Sequence, residues 1–424
     1  MTDIPLDRSY RALFAVPSIL RILLGMAIAR VAQAMVSVAL VLFTLAEYHS
    51  PELAGVVTFA SIFPGLLVSP IAGVLLDRHG RIRLIIADWI IALASLVLIG
   101  VLALAHALPD WLLVVIATVS SLTSIFSHTG LRTLFPLIVP EHLWERVNAI
   151  DSNGYVIALI LGPPFAASLV AIAGGPAALI VTGLLSGAAA LSILGVSDPE
   201  TEVTATGPIL SDALEGVRYV WRNRTLRGLG FSISTLNIAG GMSTILIPLL
   251  VLRQLGASEA AVGVVFAISG VSGMVSALLA GRMDSRGREW IMLVAPMAAS
   301  TIAPLLLLPP AAAAAAGQAG ALDPRLGFLL IGASMFLVGI LTGPMDIALF
   351  TVRQRRTDQA WMGRAFAISM SFNYIGVPVG AALAGFIAAS SLAAAVGLAV
   401  LATIGASLFA AFLVPRDDPA TSAA

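Results

Sequence analysis

The sequence predicts an all-α membrane protein: twelve transmembrane helices in two pseudo-symmetric six-helix bundles, with the N- and C-termini cytoplasmic. Composition, the lengths of the apolar runs and the placement of the arginines each point there. Of 424 residues, 59% are hydrophobic and 11% charged, and the mean hydropathy is +1.00. A soluble domain is about 25% charged, so this chain cannot cover a water-facing surface of the ordinary kind. The 23 basic and 23 acidic residues cancel, and no nucleic-acid partner is expected. The absence of cysteine excludes thiolate metal sites, a catalytic thiol and any disulfide framework. All the basic residues are arginine, a bias that carries no functional reading.

The start of the chain does not read as a cleavable signal: Arg8, Arg11 and Arg21 lead into a long apolar run without a small-residue cleavage pattern. Apolar segments then fall at 17–46, 53–76, 83–107, 110–138, 147–171, 176–196, 226–252, 259–281, 290–312, 326–350, 362–388 and 390–414. At 1.5 Å rise per residue each crosses a hydrocarbon core of about 30 Å, some only when tilted. Their Gly, Ala and Ser residues suit close helix contact in lipid. Internal Pro and Gly are tolerated there, because neighbouring helices satisfy the freed backbone groups.

Twenty of the 23 arginines lie on one side of this arrangement. They occupy the N-terminus, the even-to-odd connections and Arg416; Arg253 and Arg325 lie opposite, and Arg30 is inside a span. The positive-inside rule then places both ends in the cytoplasm of a bacterial cytoplasmic (inner) membrane protein. An odd number of spans would spoil the alternation.

The polar stretch 197–225 divides the chain into an N-terminal bundle, 1–196, and a C-terminal bundle, 226–424. Within it Leu210, Ala213, Leu214, Val217 and Val220 follow a helical period, which predicts an amphipathic helix along the inner membrane face. The halves echo one another. Leu143–Ala149 can be laid on Trp361–Ala367, Leu122-Thr123 on Leu341-Thr342, and Gly73–Arg81 on Ala280–Arg288. Duplication of a six-span unit is the usual construction of a carrier.

Between spans two and three stands Gly73-Val74-Leu75-Leu76-Asp77-Arg78-His79-Gly80-Arg81, and between eight and nine Ala280-Gly281-Arg282-Met283-Asp284-Ser285-Arg286-Gly287-Arg288. Any inner loop of a bacterial membrane protein is basic, but this one recurs at the same place in the second half. It resembles the signature loop of the major facilitator superfamily, Gly-x-x-x-Asp-Arg-x-Gly-Arg. The first copy matches in full; the second has Ala280 for the first glycine and Ser285 for the first arginine. The resemblance covers almost the whole chain and implies the major facilitator fold. It also implies that Gly73, Asp77, Arg78, Gly80 and Arg81 form a cytoplasmic latch, with Asp77 meeting the start of span eleven near Gly363. Asp284 and Arg288 would act similarly against span five.

Gly154 and Gly162-Pro163-Pro164 in span five read either as a kinked, closely packed helix or as a gating element. The second reading rests on their resemblance to the glycine–proline motif of exporters in that superfamily. Gly376-Val377-Pro378-Val379-Gly380 is the counterpart in span eleven. The stretch from Arg132 to Asn148 resembles the branch with siderophore and macrolide exporters and lysophospholipid carriers.

Ionisable groups at membrane depth are costly and mark pathways or structural pairs. Arg30, about thirteen residues into span one, reads as a cavity residue or as half of a buried ion pair, and Gln33 shares its face one turn on. His128 in span four and Asp346 at the matching place in span ten are candidates for substrate or proton coupling. The alternative for Asp346 is a latch to Arg353 or Arg356. Asp151 reads as a gating salt bridge, and Asp88 as part of the inner-loop network. Asn237 and Asn373 are cavity hydrogen-bonders or helix-to-helix ties.

Without a Walker motif, a metalloprotease helix or a nucleophile elbow, the expectation is a transporter rather than an enzyme. The leading reading is a secondary transporter working by alternating access as a proton-coupled exporter of apolar or amphipathic small molecules. It would need no cofactor beyond the proton motive force and would act as a monomer in the bilayer. The alternatives are a lysophospholipid or lipid carrier, an organic-anion importer with Arg30 on the head group, or a non-transporting membrane protein.

Overall fold

The computed structural model describes residues 7, 9–198, 209–280, 287–315, 322–357 and 362–416, and every regular element among them is helical. After a short α1 (Tyr10–Phe14) come α2 (Ile19–Glu47), α3 (Pro51–Ala60), α4 (Phe63–His79), α5 (Arg81–Leu104), α6 (Asp110–Ile138) and α7 (Trp144–Ile193). Helix α8 (Ile209–Arg222) lies in the predicted linker. The second half holds α9 (Arg224–Leu249), which runs into a π turn over Leu250–Gln254, then α10 (Glu259–Ala280), α11 (Glu289–Ala299), α12 (Ile302–Leu305) and α13 (Leu308–Ala315). It ends with α14 (Pro324–Arg355), α15 (Met362–Tyr374), α16 (Gly376–Ser390) and α17 (Leu392–Leu413).

Among the described residues eleven stretches are long and apolar enough to cross a membrane, and one of them, 157–193, accounts for two predicted spans. As one straight helix, 50-residue α7 would reach about 75 Å, more than twice the hydrocarbon thickness. The chain leaves helical geometry at Gly174, with φ +83° and ψ 164°. Before that glycine, α7 runs parallel to α2: Gly154 lies at Arg30 and Gly162 at Ala34 and Met35. Beyond it, Pro176 and Ile180 lie at Gly100, and Gly183 and Gly187 at Leu93, so this part runs antiparallel to α5. The reversal at Gly174 makes the twelfth span.

Local chemistry sets the ends. Asn223 caps α9 by accepting from the amides of Thr225 (3.0 Å) and Leu226 (3.1 Å). Asp323 caps α14 ahead of Pro324, and Ser391 caps α17. Proline and small residues break two predicted spans into pieces: span nine is α11–α13, with Pro296 and Pro304 inside, and span eleven is α15 and α16, parted at Ile375. The buried face of α17 is mostly alanine (Ala395, Ala399, Ala402, Ala406, Ala410), which lets it lie close on α9.

The chain forms two compact units. The first comprises residues 1–39 and 60–206, with a core of Ile22, Met26, Ile85, Trp89, Leu134 and Phe135. The second comprises residues 40–59 and 207–424, with a core of Leu229, Leu293, Met297, Ala348 and Leu349. In the second unit α3 meets α16 backbone to backbone: a Cβ on Gly55 would stand 2.7 Å from the Ala381 carbonyl. Helix α8 buries Val220 against Leu226 and leaves Leu214, Val217 and Trp221 exposed.

Candidate functional site

In the first unit, α2 brings Arg30 and Gln33 to one face, and α7 brings Asp151 to meet Arg30. The ion pair Arg30 Nη2–Asp151 Oδ1 measures 2.5 Å, with side-chain exposures of 10% and 11%. Arg30 Nη1 also donates to the Asp151 carbonyl, and the guanidinium lies 5.9 Å from the Tyr155 ring centroid. Gly154 borders the pair, and a Cβ there would stand 3.4 Å from Nη1, in ordinary van der Waals contact. Arg30 is thus half of an ion pair with Asp151 within the first unit. The span one–span five contact is tightened further at Gly162, where a Cβ would stand 2.9 Å from the Ala34 carbonyl carbon. Pro163 follows inside the same helix.

One turn beyond Arg30, Gln33 Nε2 donates to Ser127 Oγ at 3.1 Å. Ser127 Oγ in turn donates to the Ser124 carbonyl at 3.2 Å. Asp88 on α5 is 3% exposed. The sequence reading put Asp88 in the inner-loop network; the structure buries it in the first unit, and among the described residues it forms no ion pair with the loop arginines. His128, next to Ser127, is exposed.

The signature loop is held by a residue the motif does not contain. Helix α5 starts at Gly80 with no side-chain cap of its own. Asp198, just past the end of α7, accepts from the amides of Ile82 (2.7 Å) and Arg83 (3.4 Å). Four amides at a helix start lack intrahelical partners and carry positive partial charge, so a carboxylate there is doubly favoured. Gly80, at φ +90°, lets the carboxylate in: a Cβ would lie 2.9 Å from Asp198 Cγ. Arg81 is the first residue of α5 and half-buried. Gly73, Asp77 and Arg78 are helical in α4, but their side-chain surroundings lie outside the described residues. So does the side of Gly363 expected to face Asp77, and Asp284 lies outside them altogether. Arg288, ahead of α11, is exposed.

In the second unit the alignment that lays Leu143 on Trp361 also lays Gly162 on Gly380 and Asp151 on Ser369. The glycine construction repeats. A Cβ on Gly380 would meet Ile238 Cα at 2.9 Å, and one on Gly376 would meet the Ser234 carbonyl carbon at 2.9 Å, both on α9. The ion pair does not repeat. Ser369 Oγ is buried and has no hydrogen-bond partner among the described residues. The buried cation comes instead from α14: Arg353, 0% exposed, donates from Nη1 to Met370 Sδ (2.8 Å) and lies 5.7 Å from the Phe350 ring centroid. With its amide oriented to satisfy both groups, Asn373 accepts from Arg353 Nη2 at 2.7 Å and donates to the Ser369 carbonyl at 3.2 Å. Asn237 Nδ2 donates to the Asn373 carbonyl at 2.9 Å. The two asparagines thus meet as ties between α9, α14 and α15.

Arg353 follows Leu349 and Val352 on the buried stripe of α14, and that spacing is the signal that separates it from the loop arginines with which the sequence grouped it. Its neighbours do serve the inner surface: Arg355 pairs with Glu289, and Arg356 donates to the Pro415 carbonyl at 2.7 Å. Asp346 is exposed two turns before Arg353 and, among the described residues, forms no latch to it or to Arg356.

Comparison with known proteins agrees with this architecture. The profile of the Major Facilitator Superfamily matches residues 22–316 and 229–424. An uncharacterized MFS-type transporter of Sinorhizobium fredii is 35% identical over 97% of this chain and 98% of its own length. Macrolide efflux protein A of Streptococcus pyogenes is 23% identical, covering 86% of this chain and 87% of itself. The multidrug efflux pump Tap of Mycolicibacterium fortuitum is 25% identical over 78% of this chain and 80% of itself. Among solved structures, the nucleoside transporter NupG has a TM-score of 0.68 at 12% identity, covering 92% of this chain and 97% of that one. A bacterial homologue of the human lysosomal transporter Spinster has a TM-score of 0.67 at 12% identity, over 96% of this chain and 97% of that one. These last two likenesses concern the fold.

Proposed function

The chain belongs to the major facilitator superfamily and is a multi-pass membrane transporter; from that premise we propose that it exports apolar or amphipathic small molecules across the bacterial inner membrane, driven by protons, by alternating access. The observation that carries the reading is the similarity, over most of the chain, to efflux proteins for macrolides and for multiple drugs. The chemistry inside the spans supports it. The described residues offer one exposed carboxylate in the cytoplasmic half of a span, Asp346, and few hydroxyls free of their own helix carbonyls. Such a surface suits a solute held by apolar contact and one charge better than a sugar that needs many hydrogen bonds. Asp346 is the acid at which a proton and a basic substrate would compete. The pairing of Arg30 with Asp151 weighs against the lipid-carrier and anion-importer readings, in which that guanidinium would hold a head group.

The test is expression in a macrolide-sensitive bacterium lacking its own pumps. The expected result is a raised inhibitory concentration for erythromycin, with cell-associated drug increasing when a protonophore is added. Unchanged drug accumulation with the protein in the membrane would overturn the exporter reading. Asp346→Asn is expected to abolish the protonophore response.

A further inference from the structure

Helix α8 has two apolar sides with different fates. Gly216 and Val220 are buried, Val220 against Leu226 at the start of α9, with Tyr219 and Ile368 packed beside them. Leu214, Val217 and Trp221 are 60%, 50% and 56% exposed. At i, i+3 and i+7 these three form one face of the helix. Leaving a contiguous apolar face to water is unfavourable, so this one calls for an occupant.

Its neighbours identify the occupant. The Trp221 ring stands edge-on to Phe231 of α9, with 5.9 Å between centroids. Phe231 lies 6.0 Å from Phe409 of α17, and Phe412, one turn further along α17, is 82% exposed. Both α9 and α17 are long and apolar enough to cross a membrane. Phe231 is two turns into α9, and Phe412 is one residue from the end of α17, so this junction lies where the spans leave the bilayer. The exposed face of α8 therefore runs onto the lipid-facing wall of two spans at the level of the headgroups, the level that tryptophan favours.

Charge completes the match. From 214 to 227 the chain carries four arginines and one acid, Glu215. Arg227 Nη1 donates to the Trp221 carbonyl at 3.2 Å, which closes the end of α8. Arg218, Arg222 and Arg224 are exposed and, among the described residues, make no ion pair. Arg218 and Arg222, one turn apart, follow one edge of the apolar face. From there a long side chain reaches the headgroups while the helix lies flat. An anionic leaflet favours each arginine at its surface by about fivefold.

We propose that α8 is a docking surface for anionic phospholipid: Leu214, Val217 and Trp221 enter the acyl layer, and Arg218, Arg222 and Arg224 hold the phosphates. The seat is tied to the spans. Asn223, which caps α9, donates from Nδ2 to the Arg356 carbonyl at 2.8 Å. Arg356 follows the last residue of α14, and its guanidinium donates to the Pro415 carbonyl just beyond α17 at 2.7 Å. Seating α8 thus fixes the ends of α9, α14 and α17 against the headgroup plane. Lipid docking of this kind is independent of what the protein carries.

The chain has no cysteine, so single labelling sites can be placed freely. Nitroxide labels on Leu214→Cys and on Glu215→Cys, in the full-length protein at one or two copies per nanodisc, report collision with oxygen and with a water-soluble nickel chelate. In phosphatidylcholine discs containing phosphatidylglycerol, the label at 214 should meet oxygen and be shielded from nickel, while the label at 215 should meet nickel. Omitting phosphatidylglycerol should open the label at 214 to nickel. So should salt at about 1 M, where the screening length falls to about 3 Å. Arg218→Gln, Arg222→Gln and Arg224→Gln together should do the same at low salt, with up to about a hundredfold loss of seating. The lipid and salt arms need no change at these arginines, so a folding defect of the triple variant cannot decide the outcome. A label at 214 as open to nickel as the one at 215 in the anionic discs would overturn the proposal. So would seating unchanged by lipid charge or by salt. Shielding of position 214 from both reagents only when two copies share a disc would assign the face to a second copy and overturn it as well.

Discussion

Gly80→Ala should damage the start of α5 more than removing the carboxylate that caps it, because two costs fall on one methyl group. The backbone at position 80 has φ +90° and ψ 133°. A residue with a Cβ held in such a sparsely populated region costs about 1–3 kcal/mol. The same Cβ would stand 2.9 Å from Asp198 Cγ, so the carboxylate must withdraw from the amides of Ile82 and Arg83. Losing a helix cap adds about 0.5–2 kcal/mol. The sum is about 1.5–5 kcal/mol of local stability. Asp198→Ala pays only the cap, and Asp198→Asn, which keeps an acceptor oxygen and loses the charge, costs about 0.3–1 kcal/mol. Native-state amide exchange at Ile82 and Arg83, read by mass spectrometry on the detergent-solubilised protein, measures this opening directly. The expected order of acceleration is Gly80→Ala, then Asp198→Ala, then Asp198→Asn. In the Asp198→Ala background the cost of Gly80→Ala should shrink to backbone strain alone, a coupling that a double-mutant cycle reads. Exchange at both amides unchanged by Asp198→Ala, or additive costs in the cycle, would refute the reasoning.

Further outcomes follow from the buried contacts. Arg30→Leu should destabilise by about 3–5 kcal/mol, because it strands Asp151, whereas Arg30→Leu with Asp151→Leu should recover much of the loss; thermal unfolding in detergent compares them. Asn237→Ala removes the donor to the Asn373 carbonyl and should cost about 1–3 kcal/mol, with the melting temperature as readout. Gly376→Val should lower expression and melting temperature together, since overpacking against the Ser234 backbone costs about 1–3 kcal/mol, while Gly397→Val, where nothing stands within 4 Å, should be tolerated.

The spans were legible because lipid imposes a length and a polarity that any run of apolar residues displays. Even the reversal inside α7 was visible, as the gap between 171 and 176 around Gly174-Gly175-Pro176. Side-chain partners were less so. Arg353 sits among Arg355 and Arg356, and charge counting alone put all three on the inner surface. Only the burial of Leu349 and Val352 on the same stripe sets it apart. Asp198 fell unremarked inside the polar stretch 197–225, because a cap supplied from more than a hundred residues away leaves no local pattern. The burial of Asp88 is equally a matter of how α5 is rotated against its neighbours, which periodicity does not specify in a span that is apolar all round.

The contact of Gly376 and Gly380 with α9 is made of missing atoms, and that gives it a one-sided tolerance. A leucine in a core can be trimmed or enlarged, and a neighbour can compensate in either direction. At these two positions nothing smaller exists, so every replacement pushes the helices apart, and relief can come only from shortening the facing backbone, which no substitution does. Directed change of this protein should therefore find its freedom in the side chains around such seams and almost none within them.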